Sequence, residues 1–530
     1  MAEPVPHQLG RSIFLLSFFI FLSAFLLYLP SLSGDFVWDD PTYVRDNPFL
    51  HEEGVLWDVL TLRVLARAGV DDNVRPVYLA SILIDHKLWG DRPWGYHLTN
   101  IILHGLNAVL VFLLAHSLGK PSPTGRGEGE GTKPVFGFAV LAALVFAVHP
   151  AATEAVCPIT FREDLLATFF LLAGLLLAIP SPAGGRDRER EGLIPRLAVP
   201  LCLLLSVMSK ESGAIGPFVL ALWVLRETLD MRRIFARVLP AALAVGTFLL
   251  LRFTVPPAPE YILGKPEYLG GSFLKMLSIQ PRIWAFQLRT ICLPRSVSAD
   301  PILPAMEFLS LGLCLFVLVI VIGIGIGFCR RSSLALFGLG FSFLAILPVS
   351  NLVPLFVPIA DRYLYMPLAG VCLSLAGITS GSREPLSKFW KTSLLIGFCF
   401  WMGSLYGLNL KRQAIWHDNV SLWTRTLEQN PRSFIAANNL GFALWGKERF
   451  EEALVPWQKA IQLSNGRVAD PWAGKALALK ALGRDNEASE AYSAAIALDK
   501  RYQDPDRLVK LLLWEKAQAQ ALGSVRALVK

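Results

Sequence analysis

Ser12-Ile13-Phe14-Leu15-Leu16-Ser17-Phe18-Phe19-Ile20 opens a run that stays free of charge as far as Pro30. Gly34-Asp35-Phe36-Val37-Trp38-Asp39-Asp40 follows almost at once. The apolar run is long enough to cross a bilayer as a helix, which takes about 20 residues. It has only Arg11 as a basic flank and no small-residue cleavage signature, so it reads as an uncleaved helix and not a signal peptide. The two carboxylates therefore stand at the exit of a membrane helix. Carboxylates are costly to desolvate there, and they are candidates for chemistry.

The rest of the chain extends that reading. It has 530 residues, 53% hydrophobic and only 17% charged, where a soluble chain of this kind carries about a quarter charged residues. The apolar excess falls into separate runs, so the chain reads as a polytopic membrane protein. Candidate spans are 12–30, 98–118, 135–149, 163–180, 193–209, 212–225, 237–254, 305–328, 333–350, 363–380 and 390–410. Topology accounts for the net charge of +8 better than nucleic-acid binding does. Cys157, Cys202, Cys292, Cys314, Cys329, Cys372 and Cys399 are scattered, mostly within apolar runs, so neither a structural zinc nor a disulfide framework is expected.

Loop charge orients the spans. With the N-terminus inside, alternate short loops hold Lys120, Arg126 and Lys133; Arg186, Arg188, Arg190 and Arg196; Arg226, Arg232, Arg233 and Arg237; Arg330 and Arg331; and Arg383, Lys388 and Lys391. Basic short loops belong on the cytoplasmic side. The opposite loops, 31–97, 149–162, 255–304 and 350–362, are longer or richer in Trp, Tyr, His, Asp and Pro. Eleven spans place the C-terminal region on the same outer side as Asp39 and Asp40.

From Trp416 onward hydropathy drops. Ala453 and Ala488, Ala460 and Ala495, Ile461 and Ile496, and Leu463 and Leu498 recur at a spacing of 35, close to the tetratricopeptide (TPR) period of about 34. Pro431 and Pro471 punctuate helix entries. A half repeat from Val420 to Asn430 precedes the two full ones, and a degenerate capping unit follows Pro505. Stacked repeats bury a continuous core and leave a concave face for partners.

The outer loops carry the polar candidates. His97, Asn100 and His104 share one helical face at the start of the second span. Such a face turns toward protein or a water-filled cavity, and hydrogen bonds to neighbouring helices remain the plainer alternative. His149, Glu154 and Arg162 line the outer cavity or, in the alternative, cap and pair locally. Lys210 and Glu211 are adjacent, so on a helix each needs another partner. Arg362 and Tyr363, within Asp361-Arg362-Tyr363-Leu364-Tyr365, suit a lipid-linked phosphate, whose oxygens a guanidinium binds in bidentate fashion. Asn419-Val420-Ser421 is a formal glycosylation sequon on the outer side. No glycine-rich phosphate loop, nucleophile elbow, zinc-protease helix or Cys-x-x-Cys motif is present, so a nucleotide bound on this chain is not the expected energy source.

The ordered set Asp39-Asp40, Arg75-Pro76, Tyr96-His97-Leu98-Thr99-Asn100 with His104, Phe146-Ala147-Val148-His149-Pro150 with Glu154, Arg162, Lys210-Glu211 and Arg362-Tyr363-Leu364-Tyr365, then repeats, resembles the TMTC family across nearly the whole chain. These are transmembrane and tetratricopeptide-repeat O-mannosyltransferases of the GT-C glycosyltransferase class. Trp416-His417-Asp418-Asn419, Leu422-Trp423 and Asn430-Pro431 resemble that family's entry into its repeats. The resemblance implies an all-α architecture: a GT-C-type membrane bundle over 1–411 and an extracytoplasmic TPR solenoid over 412–530. It further implies a polyprenyl- or dolichyl-phosphate sugar donor, mannose first, inversion at the anomeric carbon, a protein or glycan acceptor engaged by the repeats, and neither metal nor other cofactor.

The chemistry of the residues agrees. An inverting transfer needs a base for the acceptor hydroxyl, Asp40 first and Asp39 second, and a cation for the leaving phosphate. Arg362 and Lys210 are the candidate cations, with Arg75 and Arg162 behind them. His97, Asn100, His149, Glu154, Glu211 and Tyr363 line the cavity. A non-enzymatic membrane scaffold and a lipid-sugar transporter are the alternatives. The few repeats favour a bacterial inner membrane with periplasmic repeats over the endoplasmic reticulum.

Overall fold

The computed structural model describes residues 6–66, 75–118, 136–179, 193–254, 267–294, 298–302, 323, 332–380, 388–504, 508 and 514–528. Its regular structure is helical. In chain order the apolar part contains α1 (Pro6–Tyr28), α2 (Val55–Leu60), α3 (Pro76–Trp89), α4 (Pro93–Leu118), α5 (Phe136–Val148), α6 (Thr153–Val156), α7 (Arg162–Leu177), α8 (Leu193–Ser209), α9 (Gly216–Glu227), α10 (Met231–Phe253), α11 (Phe273–Cys292), α12 (Ser333–Ile346), α13 (Tyr365–Ser380) and α14 (Lys388–Ile415). The repeats follow as α15 (Asn419–Gln429), α16 (Phe434–Gly446), α17 (Phe450–Leu463), α18 (Asp470–Ala481), α19 (Asp485–Leu498) and α20 (Lys516–Arg526).

Four helical stretches among the described residues are long and apolar enough to cross a membrane: Gly10–Ser33, Pro93–Leu118, Met231–Arg252 and Thr392–Ile415. A fifth results if Gly137–Val148 and Pro150–Val156, bent by 48°, form one broken span. The outer flanks of these helices are apolar and open, as lipid-facing surfaces should be: Phe14 is 70%, Leu250 71% and Phe400 79% exposed. The other expected spans are shorter. α7 has 16 residues, α8 17, α9 12, α12 14 and α13 16, so among the described residues length and composition alone mark four or five crossings. The expected span 305–328 lies outside the described residues apart from Gly323. The outer loop 255–304 contains a helix, α11.

Small residues let these helices approach closely. A Cβ at Gly338 would lie 2.5 Å from the carbonyl oxygen of Gly370, and one at Gly377 2.4 Å from the backbone nitrogen of Ala335. α12 and α13 thus meet backbone to backbone, the arrangement that drives helix association where lipid removes the hydrophobic incentive. α14 is fastened differently: Asn409 donates to the Tyr28 hydroxyl (3.0 Å) and the Val148 carbonyl (3.1 Å), and Gln413 donates to the Leu27 carbonyl (2.9 Å).

The repeats form two helical hairpins, α16–α17 and α18–α19, preceded by α15 and covered by α20. Ala453, Ala488, Ala460 and Ala495 are fully buried. Trp457 is fully buried as well, and a Cβ on Gly441 or Gly474 would come within 2.5 or 2.2 Å of its indole. The hairpin turns repeat too: Gly483 (φ +74°) occupies the turn position that Glu448 (φ +59°) holds one repeat earlier.

Candidate active site

The site begins where the first helix gives way to the turn carrying the acidic pair. Trp38 has a φ of +56°, a left-handed conformation that costs a bulky residue about 1–2 kcal/mol. Packing over-determines it. Its ring stacks on Trp416 at 6.0 Å with planes 8° apart, and meets Trp423 at 5.2 Å and Phe161 at 5.7 Å edge to face. The Trp38 N–H donates to Asn419 Oδ1 (2.8 Å), and the Asp35 N–H donates to the His417 carbonyl (2.9 Å). The sequon asparagine is therefore used to tie the start of the repeats to this turn.

Asp39 and Asp40 part company there. Asp40 is completely buried. Its Oδ2 accepts from the N–H groups of Val37 and Ile159, both at 3.1 Å, and its Oδ1 from the Thr160 N–H and hydroxyl, both at 2.8 Å. Burial pushes its carboxyl up to about 6, against hydrogen bonds that favour the ionised form. Asp40 thus stitches the turn after α1 to the turn before α7. Asp39 instead lines a cavity of about 370 Å³ between this turn and the repeats, together with Asp35, Arg45, Trp423, Asn439 and Lys447. Arg45 closes one side, pairing with Asp46 at 2.9 Å and Glu515 at 3.0 Å.

Behind the turn the polar candidates from distant segments converge. Glu154 Oε2 accepts from the N–H groups of Asp361 (2.7 Å) and Arg362 (3.3 Å), and its other oxygen meets the Arg362 guanidinium. That guanidinium lies over Phe161 at 4.0 Å, Tyr363 at 5.1 Å and Trp38 at 5.7 Å, which places it directly behind the acidic turn. Lys210 Nζ sits 5.6 Å from the Tyr363 ring and bonds to Glu163 (2.8 Å) and Asp164 (2.6 Å). Burial works against its charge, but the two carboxylates outweigh burial and hold its pKa above the usual lysine range. Arg75 grips Glu211 at 3.0 Å and also meets Glu163, while Arg252 reaches Glu211 at 2.8 Å. Burial alone would raise the Glu211 carboxyl; Arg75 and Arg252 prevail and lower it to about 2. Each of these predicted phosphate-binding cations is balanced by a carboxylate.

The remaining candidates hold the frame. Arg162 is completely buried: it pairs with Asp85 at 2.6 Å and donates to Asn100 Oδ1 (2.7 Å) and to the Ser81 and Tyr96 carbonyls. Asn100 donates in turn to the Val156 and Pro158 carbonyls. His104 bonds to the Tyr365 hydroxyl (2.9 Å) and the Ala147 carbonyl (3.0 Å), and His97 is buried against Gly34. The shared face of α4 thus turns to protein. His149 accepts from the Ala151 N–H (3.1 Å) and bonds to the Ile291 carbonyl (2.8 Å), fixing α11 beside the site.

Sequence reading did not single out several partners: Trp38, Thr160, Glu163, Asp164, Arg252, Asp361 and Arg412, the last pairing with Asp361 at 2.9 Å. An unexplained charge next to an apolar run was the available signal for Arg252 and Arg412. Among the described residues no three His, Cys, Asp or Glu side chains gather as a metal site.

No family model matches the chain. Curated relatives do. A protein O-mannosyl-transferase of Caenorhabditis elegans is 28% identical over 475 residues, 86% of this chain and 64% of the relative. Protein O-mannosyl-transferase Tmtc3 of Drosophila melanogaster is 25% identical over 551 residues, 90% of this chain and 58% of the relative. Human protein O-mannosyl-transferase TMTC3 is 25% identical over 519 residues, 89% of this chain and 54% of the relative. The chain thus spans between half and two thirds of the length of these relatives. They are animal proteins and lend no support to a bacterial inner membrane. With its apolar helices, its helical repeats and this likeness along most of its length, the chain reads as a membrane protein similar to the TMTC protein O-mannosyl-transferases.

Proposed function

We propose that this chain transfers mannose from a polyprenyl- or dolichyl-phosphate donor to a hydroxyl group of a protein on the extracytoplasmic face. The observation that carries the reading is convergence. Trp38 with Asp39, Arg75, Glu154, Glu163, Lys210, Glu211 and Arg362 with Tyr363 come from segments as far apart in the chain as Trp38 and Arg362, yet they form one connected polar cluster behind a cavity at the exit of α1. The names of the relatives supply the sugar and the acceptor class.

In this reading Asp39 takes the proton of the acceptor hydroxyl, because it borders the cavity while Asp40 is enclosed by donors. The hydroxyl oxygen bonds to the anomeric carbon on the face opposite the phosphate, the carbon–oxygen bond to phosphate breaks, and the lipid phosphate leaves. Its charge is met by Arg362 and Lys210, with Arg75 behind them; preorganised cations of this kind stabilise charge as it develops. Asp40 and Arg162 hold the two outer loops in register. In this reading residues 1–411 form a GT-C-like transferase domain and 412–530 a TPR domain that engages the acceptor, with α14 running across the junction. No step calls for a metal or another cofactor.

The test is transfer in purified membranes from radiolabelled polyprenyl-phosphate mannose. Label reaching protein with the intact chain, and falling away when Arg362→Gln is substituted at equal expression, is the expected result. Absence of label with mannose and with other donor sugars would overturn the transferase reading.

A further inference from the structure

Arg75, which stands behind Arg362 and Lys210 in the transfer step, shares Glu211 with Arg252, an arginine that step does not use. Arg75, at the N-terminal cap of α3, offers Nε to both Glu211 oxygens at 3.2 Å and Nη2 to one at 3.0 Å; Arg252, in the last turn of α10, takes the other oxygen at 2.8 Å. The fork of Arg75 and one guanidinium nitrogen of Arg252 thus hold one carboxylate from two separate elements. Glu211 is also the most solvent-accessible carboxylate of the network. Its side chain is 30% exposed, against 9% for Glu163 and 8% for Asp164, and it sits at the start of the short turn Glu211–Ile215.

The approach to this pair runs along lipid. The apolar window of Met231–Arg252 is only 17% buried, so α10 presents an apolar flank that ends at Arg252. A chain lying on that flank brings its headgroup to the arginines. Charge permits the exchange: a sugar phosphodiester carries one negative charge, as Glu211 does, so one can replace the other without changing the balance among Arg75, Arg252, Lys210, Glu163 and Asp164. A phosphate fits both forks, since guanidinium binds its oxygens in bidentate fashion.

We propose that Arg75 and Arg252 are the docking pair for a lipid-borne phosphate headgroup, and that Glu211 is its built-in competitor, occupying the pair until the headgroup arrives. This rests on the lipid-phosphate donor reading and adds Arg252 and the displacement of Glu211 to it. Glu211 also serves release: its return to the arginines competes with the spent lipid phosphate, whose extra charge would otherwise favour retention.

The test is binding without transfer. The full chain in lipid nanodiscs is titrated with short-chain polyprenyl phosphate, followed by native mass spectrometry, with thermal unfolding as the check on folding. Glu211→Gln is expected to tighten binding about tenfold, and Arg252→Lys, which keeps the charge but loses the fork, to weaken it about tenfold. If Glu211→Gln does not fold, Arg252→Lys alone decides. Binding unchanged in the folded variants overturns the proposal, even if the intact chain transfers mannose. The expected shifts in a chain that transfers no sugar would uphold the docking pair and sink the transferase. Inorganic phosphate that displaces the lipid at equal concentration would overturn the assignment to a lipid headgroup.

Discussion

Two sets of ion pairs in this molecule have the same chemistry and different consequences. In the repeats, Arg449 clasps Glu452 and Arg484 clasps Glu487 with matching distances of 2.8 and 2.6 Å, one repeat apart, on side chains 41% to 59% exposed. In the membrane part, Arg75, Lys210, Glu163 and Asp164 join α7 to loops 88 and 46 residues away, with the lysine and both carboxylates under 10% exposed. The first set decorates a helix start and is worth little in water. The second holds desolvated charges that tolerate no missing partner. Local pairs fit the period of a repeat; the long-range pairs assemble the site.

Removing Lys210 should expose the contrast most sharply. Lys210→Met leaves Asp164 buried without its cation and Glu163 with Arg75 alone, and a loss of about 3–5 kcal/mol in stability is expected; thermal unfolding in detergent measures it, and a shift no larger than that of a surface substitution would break the distinction. Asp40→Asn comes next. Its amide cannot accept all four donors around it, so about 1–3 kcal/mol should be lost near pH 4. That gap depends on pH. The folded pKa of Asp40, about 6, lies above its ordinary value near 4. Its contribution is therefore fully present below about pH 4 and lost as pH rises through 6. Unfolding of the intact chain and of Asp40→Asn, compared from pH 4 to 7, should show the advantage of the aspartate shrinking as pH rises. The smallest effect belongs to the repeats: Arg484→Ala should leave the unfolding transition where an ordinary surface substitution leaves it, read by the same measurement.

The same division explains what could be read from the chain. The repeats were legible because their signal is periodic: alanines 35 residues apart all reach the core. The acidic pair was legible from its place after an apolar run, as were Arg75, Lys210, Glu211, Arg362 and Tyr363 as members of one polar region. Their partners were not. Nothing in the spacing of Glu211 announces Arg252, and nothing near Asp40 announces Thr160, because those contacts exist only once remote helices have packed. Hydropathy also marked apolar runs without their geometry. α12 and α13 are only 14 and 16 residues long, and Gly338 and Gly377 serve a backbone-to-backbone contact. The difference between Asp39 and Asp40 was beyond sequence altogether, since adjacent carboxylates on a turn can face cavity and core in either order.

That last difference carries the mechanism. The most direct measurement is the rate of mannosyl transfer in membranes by the intact chain, by Asp39→Asn and by Asp35→Asn. Asp35 borders the same cavity and pairs with Lys447 at 3.6 Å. The account predicts a fall of roughly 10²- to 10⁴-fold for Asp39→Asn, with folding intact, and a rate near that of the intact chain for Asp35→Asn. Equal rates from all three proteins would contradict it.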